Sequence, residues 1–462
     1  MPDPRYKQET VQVRGSYKPG DHNYSAAVPI YQTAAFALGN TDRALRLSNL
    51  QEKGFFYTRG GNPTTDILEK RIAELEGGTG ALAVGSGMAA VAFSIFNVAE
   101  GGGEIAAVRT LYSGSFNLFY HILPRFGIKI NWIEDPHRLE DYRKAITPET
   151  RAVFIEVIGN PSMDVPDIEE ISKIAHENGI PLIADNTFCT PHLLRPIDYG
   201  ADIVVHSGTK ALGGHGSSIA GLIVESGRFN WANGKFPHFT EPDYNLQNRS
   251  MTEVVPNLIF TTRIRMHFLN DFGAALSPFN SYLILQGIET LSVRVDRQVE
   301  NTGKIIRYLL KHPMVSWVDY PLLEGNKNYN NAKKYFKKGA GSIFTFGFKG
   351  NDKTINKFID SLKLFIFMVN LGDAKSMVIR PYEGTHKSLS PENRLKAGVK
   401  MPEIKGLFKL QAEAPLGDFA AFDGKTLAAL RDAGVFEDAR EEALPFEKTL
   451  ALLLTLHGTE AV

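Results

Sequence analysis

Cysteine is almost missing: Cys189 is the single one in 462 residues, which excludes any disulfide within the chain and any thiol-rich metal site. A reducing cytoplasm is the compartment that such usage fits. No run of about 18 apolar residues is present to cross a bilayer, and the opening stretch MPDPRYKQETVQVRG has no apolar core of the kind a secretory signal needs. Charge of one sign is not in excess, with Lys+Arg and Asp+Glu both at 51. Neither a basic face for nucleic acid nor a like-charge tail is expected. The 12 histidines are scattered, and no two stand four residues apart beside a carboxylate, so no metal is expected. These absences leave a small molecule as the expected partner.

What is present is ordinary globular composition, 43% hydrophobic and 22% charged, in a chain long enough for one large domain and a smaller one. Residues 1–60 are rich in Tyr, Gly, Pro and Asn without a sustained period and read as an extended arm. From Thr65 to Glu76, Ile67, Leu68, Ile72 and Leu75 share one face of a predicted helix, and Gly77 and Gly78 stop it. Short apolar runs then alternate with helical patterns at 81–84, 104–108, 128–133, 151–157, 180–185, 202–206 and 220–225. That alternation predicts an α/β domain, a mostly parallel sheet covered by helices. Between two of the runs, Asp167 can cap a helix that carries Ile168, Ile171 and Ile174 on one side and ends at Gly179. A long helical pattern from about Asn280 to Leu310 separates this region from a mixed segment with a strand-like GSIFTFGF at 341–348. The predicted organisation is an arm over 1–60, a large domain over 61–270 and a smaller C-terminal domain over 271–462.

Three segments carry chemistry. HSGTKALGGHG, 206–216, follows the apolar run DIVVH, so Lys210 sits at a strand end where α/β sheets bind ligands, flanked by Ser207 and Thr209, whose hydroxyls suit a phosphate. A solvated loop lysine is the plainer alternative. AVGSGMAAV, 83–91, reads as strand, glycine turn and helix start, aiming the backbone N–H groups of Gly87 and Met88 at an anion. It also matches the dinucleotide pattern GxGxxA, but Glu104, the acidic residue at the right interval, begins its strand instead of ending it. In IADNTFCTP, 183–191, Asp185 ends an apolar strand, where a carboxylate is costly unless paired; a protonated pyridine nitrogen is a fitting partner, and capping of the next turn is the alternative.

Together with YTRGGNPT at 57–64, LYSGSFNLF at 111–119 and EVIGNPSMDVPDI at 156–168, these segments resemble the Cys/Met-metabolism family of pyridoxal-phosphate enzymes over roughly residues 8–400. The resemblance implies an aminotransferase-like, type I fold with a smaller α+β C-terminal domain, and pyridoxal 5'-phosphate as cofactor. It implies Lys210 as the Schiff-base lysine, Asp185 as partner of the pyridine nitrogen, Asn160 as donor to the ring hydroxyl, and Tyr112 as the stacking and proton-transfer residue. The phosphate falls to Gly87, Met88, Ser207 and Thr209. Tyr57 and Arg59 are implied to reach into a neighbouring subunit's site, in a dimer of dimers.

VNLGDAKSMVIRP at 369–381, with Asn370 as a substrate contact, is similar to O-acetylhomoserine sulfhydrylases. The implied reaction is replacement of acetate at Cγ by sulfide or a small thiol, giving homocysteine or methionine; a γ-lyase, another homoserine-ester enzyme and a non-catalytic cofactor-binding scaffold are the alternatives. The pattern breaks where the family carries an arginine for the substrate carboxylate. Here the stretch reads MPEIKGLFKLQAEAP, 401–415, and Lys405 or Lys409 falls near that place. From about Gln411 the chain departs from the family, with two amphipathic helices expected in the tail.

Overall fold

The seven apolar runs become seven strands of one sheet: β1 (Gly80–Val84), β2 (Gly103–Val108), β3 (Ile128–Ile133), β4 (Thr150–Glu156), β5 (Leu182–Asp185), β6 (Ile203–Ser207) and β7 (Gly221–Glu225). A computed structural model describes residues 6–49, 51–349, 352–381, 390, 392, 394 and 407–411, with the backbone alone for 352 and 407–411. The strand order is β1-β7-β6-β5-β4-β2-β3. All neighbours run parallel except β7, which is antiparallel to both β1 and β6. Burial on both faces explains why β4, β5 and β6 read as continuous apolar runs and not as alternating ones.

The covering helices start and stop on local signals. Pro63–Glu76 is capped by Asn62, whose side chain accepts from the Thr64 N–H at 3.0 Å, and ends at Gly77 with φ of 76°. Ile67, Leu68, Ile72 and Leu75 are all buried, so the face read from the sequence is the face that packs. Ile168–Glu177 takes its cap from Asp167, and Gly179 follows with φ of 66°.

Two expectations need correction. The arm is not wholly extended: helices form at Gln8–Arg14 and Thr41–Ser48. Tertiary bonds hold the first, since buried Arg71 donates to the carbonyls of Gly15 and Gln12 at 2.9 and 3.3 Å. A cap begins the second, with Asn40 accepting from the Arg43 N–H at 2.8 Å. Such short helices bury too few apolar residues to leave a periodic trace. The long pattern after Asn280 is also two helices, Pro278–Glu289 and Leu291–Lys311. Thr290 caps the first by donating its N–H to the Gly287 and Ile288 carbonyls, a tight closure that no change of hydrophobicity announces.

The chain divides into two compact units, residues 1–160 with 164–292, and 161–163 with 293–462. The second unit holds a five-stranded sheet in the order β10-β11-β12-β9-β8, made of β8 (Val315–Asp319), β9 (Ile343–Phe348), β10 (Ile366–Phe367), β11 (Met377–Ile379) and β12 (Leu407–Gln411). The strand-like GSIFTFGF is the fully buried β9. Lys405 and the expected tail helices lie outside the described residues. Among the described residues no helix is long and apolar enough to cross a membrane.

Candidate active site

Parallel strands deliver their C-terminal ends to one edge of a sheet, and this is where an α/β fold places its ligands. Here β5 ends at Asp185 and β6 at Ser207, and Thr187 fastens the two ends together. Its N–H donates to Asp185 Oδ1 at 2.9 Å, and its Oγ1 accepts from the Ser207 N–H at 2.9 Å. Burial pushes the Asp185 carboxyl above the usual carboxylate range, against the pull of the Thr187 hydrogen bonds and of His206. The group is therefore a half-buried acid that a cation would relieve.

Lys210 lies three residues beyond β6 on a hydrogen-bonded turn. Its N–H donates to the Ser207 carbonyl at 3.2 Å, and its own carbonyl accepts from Gly214 at 2.8 Å. Burial lowers the basicity of the amine, which makes its neutral, nucleophilic form more available near neutral pH.

The 12-residue helix Gly87–Val98 begins against the same edge. Ser86 caps it, accepting from the Ala89 N–H at 3.1 Å. A Cβ on Gly87 would stand 2.7 Å from Ser207 Cβ, and one on Gly221 would stand 2.0 Å from the Ser86 carbonyl oxygen. Only glycine at both positions lets a helix N-terminus, with its free N–H groups and positive dipole end, meet the end of β6. Gly87, Met88 and Ser207 are thereby brought together as the sequence implied. Thr209 stands slightly apart from them in its bonding: its hydroxyl bridges the N–H and carbonyl of Ala220 at 3.1 and 3.4 Å.

Tyr112 opens the helix Ser113–Asn117 and is 41% exposed. Its ring edges past Gly114 toward Met88, since a Cβ on Gly114 would meet Tyr112 Cε1 at 2.5 Å and Met88 Sδ at 3.2 Å. Burial first, and the nearby Glu156 second, raise the phenol above its ordinary range. Asn160 is buried on the loop after β4, where the neighbouring Gly159 N–H donates to Asp164 O at 2.9 Å.

Tyr57 and Arg59 belong to a different cavity. The Arg59 guanidinium sits 5.3 Å from the centre of the Tyr57 ring. Their turn is braced by Arg265, which donates to Gly60 O at 2.8 Å and to Glu69 at 2.6 Å. The cleft of about 640 Å³ beside them is lined by Tyr57, Arg59, Glu69, Arg265, Asn270 and Asp271; among the described residues its lining includes none of Lys210, Asp185 or Tyr112. Within one subunit, then, these two side chains face a cleft of their own.

The dinucleotide alternative has no support from the sheet. Glu104 lies at the opposite edge, at the start of β2, where Lys129, Thr147 and Asn131 donate to it and hold its carboxyl down to about 2.

A lysine of lowered basicity, a half-buried carboxylate on the adjacent strand end and a helix N-terminus at one sheet edge suit a phosphorylated pyridine aldehyde. The family described as Cys/Met metabolism PLP-dependent enzyme matches residues 9–405. The chain belongs to this family. The O-acetyl-L-homoserine sulfhydrylase of Leptospira meyeri is 46% identical over 405 residues, covering 85% of this chain and 91% of that one. The homocysteine synthase of Schizosaccharomyces pombe is 43% identical over 402 residues, covering 86% and 93%. Among solved structures, an O-acetylhomoserine (thiol)-lyase of Campylobacter jejuni, described as putative and carrying a pyridoxyl-lysine phosphate, superposes with a TM-score of 0.84 at 36% identity over 93% of this chain and 99% of that one. This family member is an α/β enzyme of type I fold that uses pyridoxal 5'-phosphate.

The cradle yields a direct expectation. Gly87→Ala forces the helix start away from Ser207, an overpacking that costs roughly 1–3 kcal/mol. The family enzyme should then hold its cofactor about ten- to a hundredfold more weakly, read by titrating apoenzyme with pyridoxal phosphate. An unchanged dissociation constant would leave this helix start without a part in cofactor binding.

Sequence reasoning missed Glu156 and Thr187. A signal existed for the first: Glu156 ends an apolar run as Asp185 does, and the argument used at one strand end applies at the other. Nothing marks Arg265, whose bonds to Gly60 and Glu69 span 205 and 196 residues.

In the second unit, the Asn370 side chain donates to Asp373 at 3.3 Å. Lys409 is placed only by its backbone, in β12 opposite Thr345 and Ile379. Arg380, directly after β11, donates to Asn356 at 2.7 Å.

Proposed function

We propose that this enzyme replaces the acetate of O-acetylhomoserine with sulfide or a small thiol, giving homocysteine or methionine, with Lys210, Asp185 and Tyr112 as its catalytic residues. The observation that carries the reading is the meeting of Lys210, Asp185 and the Gly87 helix start at one sheet edge, in a chain 42–46% identical to sulfhydrylases and homocysteine synthases. Bound there, the cofactor supplies an electron sink for charge that develops on the substrate carbons.

The chain's own groups do the rest. The Lys210 amine removes the proton from Cα and then one from Cβ, so that acetate can leave Cγ. It returns protons to these carbons once the thiol has added at Cγ, a task suited to an amine of lowered basicity. Asp185 keeps the pyridine nitrogen protonated, and Asn160 donates to the ring hydroxyl. Gly87, Met88, Ser207 and Thr209 hold the phosphate, the first three through the cradle described above. The Tyr112 phenol, raised and therefore protonated near neutral pH, can give its proton as acetate departs. Asn370 and either Lys405 or Lys409 take the substrate's carboxylate. One lysine in place of a two-pronged arginine makes that contact weaker and less directional.

Turnover of purified enzyme on O-acetylhomoserine with and without sulfide tests the reading. Homocysteine and acetate formed only with sulfide support it. Ammonia and a 2-oxo acid formed equally without sulfide would move the enzyme to the γ-lyases. No turnover on any homoserine ester would leave the scaffold reading.

The separate cleft of Tyr57 and Arg59 supports sites completed between subunits, in a cytoplasmic dimer of dimers. Arg59→Ala and Lys210→Ala, each inactive alone, should therefore regain part of the activity when their subunits are mixed and reassembled. One site of each mixed dimer receives both intact residues. No recovery after demonstrated subunit exchange would place Arg59 in its own chain's site.

A further inference from the structure

Glu156 closes β4 as Asp185 closes β5, and the two are register partners on adjacent parallel strands. Only Asp185 has a part in the chemistry above. Yet Glu156 is the more deeply enclosed, at 6% exposure, and one of its carboxylate oxygens accepts the Tyr112 N–H at 2.6 Å. A bond that short to an ionisable acceptor belongs to the stronger class of hydrogen bonds. It is also a bond across 44 residues, between a strand end and the residue that opens a helix.

Tyr112 needs such an anchor. As the residue before the first helical turn, it lies outside the helical conformation, with φ of −47° and ψ of 137°, and makes no side-chain cap. Its ring lies against the bare Cα of Gly114, with Met88 Sδ close by. The direction of the Cα–Cβ bond, and with it the swing of the ring, depends on what holds the backbone from behind. Glu156 does this from inside the sheet edge that also carries Asp185.

We propose that Glu156 is a positioning residue of the reaction, whose carboxylate fixes the backbone of Tyr112 and so the placement of the ring and its hydroxyl over the site. This rests on the role of Tyr112 given above. After burial, the charge on Glu156 is a second influence that disfavours ionisation of the phenol.

The two contributions separate by substitution in the holoenzyme. Glu156→Gln retains an oxygen at the same reach and loses the charge; Glu156→Asp retains the charge and loses the reach; Glu156→Ala loses both. Misplacing a reacting group by about an ångström costs up to roughly a hundredfold. Glu156→Ala and Glu156→Asp should therefore lower kcat by about ten- to a hundredfold with a much smaller change in KM for O-acetylhomoserine, and should alter the visible circular dichroism of the bound cofactor, which reports the ring lying against it. Glu156→Gln should recover most of kcat and the native dichroism. In a Tyr112→Ala background, Glu156→Asp should have little further effect, because its influence passes through the tyrosine.

Normal kcat and dichroism in Glu156→Asp, or a loss in Glu156→Gln equal to that in Glu156→Asp, overturns the proposal while leaving Tyr112 in place. So does a loss from Glu156→Asp that persists undiminished in the Tyr112→Ala background. Full activity of Tyr112→Ala by itself overturns the underlying role of the tyrosine, and the proposal with it. Glu156→Gln and Glu156→Asp carry the test if Glu156→Ala does not fold.

Discussion

Lys210→Ala is expected to abolish turnover and the borohydride-reducible link to the cofactor while the protein stays folded. The two backbone bonds of the residue, to Ser207 and from Gly214, do not depend on its side chain. What alanine removes is a partly buried amine whose burial already works against its charge, so the fold loses little. The chemistry loses much. A positioned proton-transfer group is worth roughly 10²–10⁴-fold on its own, and here the same nitrogen is also the only proposed covalent attachment point. The measurement is a reduction with borohydride followed by mass analysis of the labelled peptide, alongside a melting curve. A label that persists in Lys210→Ala, at any other lysine, would move the assignment.

Asp185→Asn should cost turnover about 10²–10³-fold, the usual loss when one preorganised electrostatic partner of a developing charge is removed. Asparagine keeps the shape of the residue and still offers an oxygen to the Thr187 N–H, so the substitution isolates the charge. Its effect on stability should have the opposite sign in the apoenzyme. Burial holds the Asp185 carboxyl above its unfolded value, so its favourable contribution is fully present below that value and is lost as the pH rises through the raised one. At pH 8, well above the unfolded value, the carboxyl is then a cost to the bare protein, and apo Asp185→Asn should melt no lower than apo wild type. Stability sacrificed for a catalytic charge is a common trade. A variant that turns over normally would break the proposed pairing with the pyridine nitrogen, and one that melts far lower would make Asp185 chiefly structural.

Both residues were legible before any coordinates because the evidence for them is local. A lysine among small hydroxyl residues after DIVVH, and an aspartate at the end of IPLIAD, are strand-end features that survive in one dimension. The same holds for the central β4, β5 and β6 and for the helix caps at Asp167 and Gly77, since burial on both faces writes itself as a nearly unbroken apolar run and a cap is written in one to three residues.

The sequence by itself, then, determined the strands of the large sheet and the chemical types set at their ends. The folded chain alone decided which ends meet. Register puts Glu156 beside Asp185, and a hydrogen bond over 44 residues hangs Tyr112 on it. Close approach of Gly87 to Ser207, across 120 residues of chain, brings two separate motifs to one place. Arg265 steadies the turn of Tyr57 and Arg59 from two hundred residues away. The physical reason is that caps and periodicity act through neighbours along the chain, whereas hydrogen-bond partners across a sheet and close backbone approaches are selected only when distant segments compete for one place.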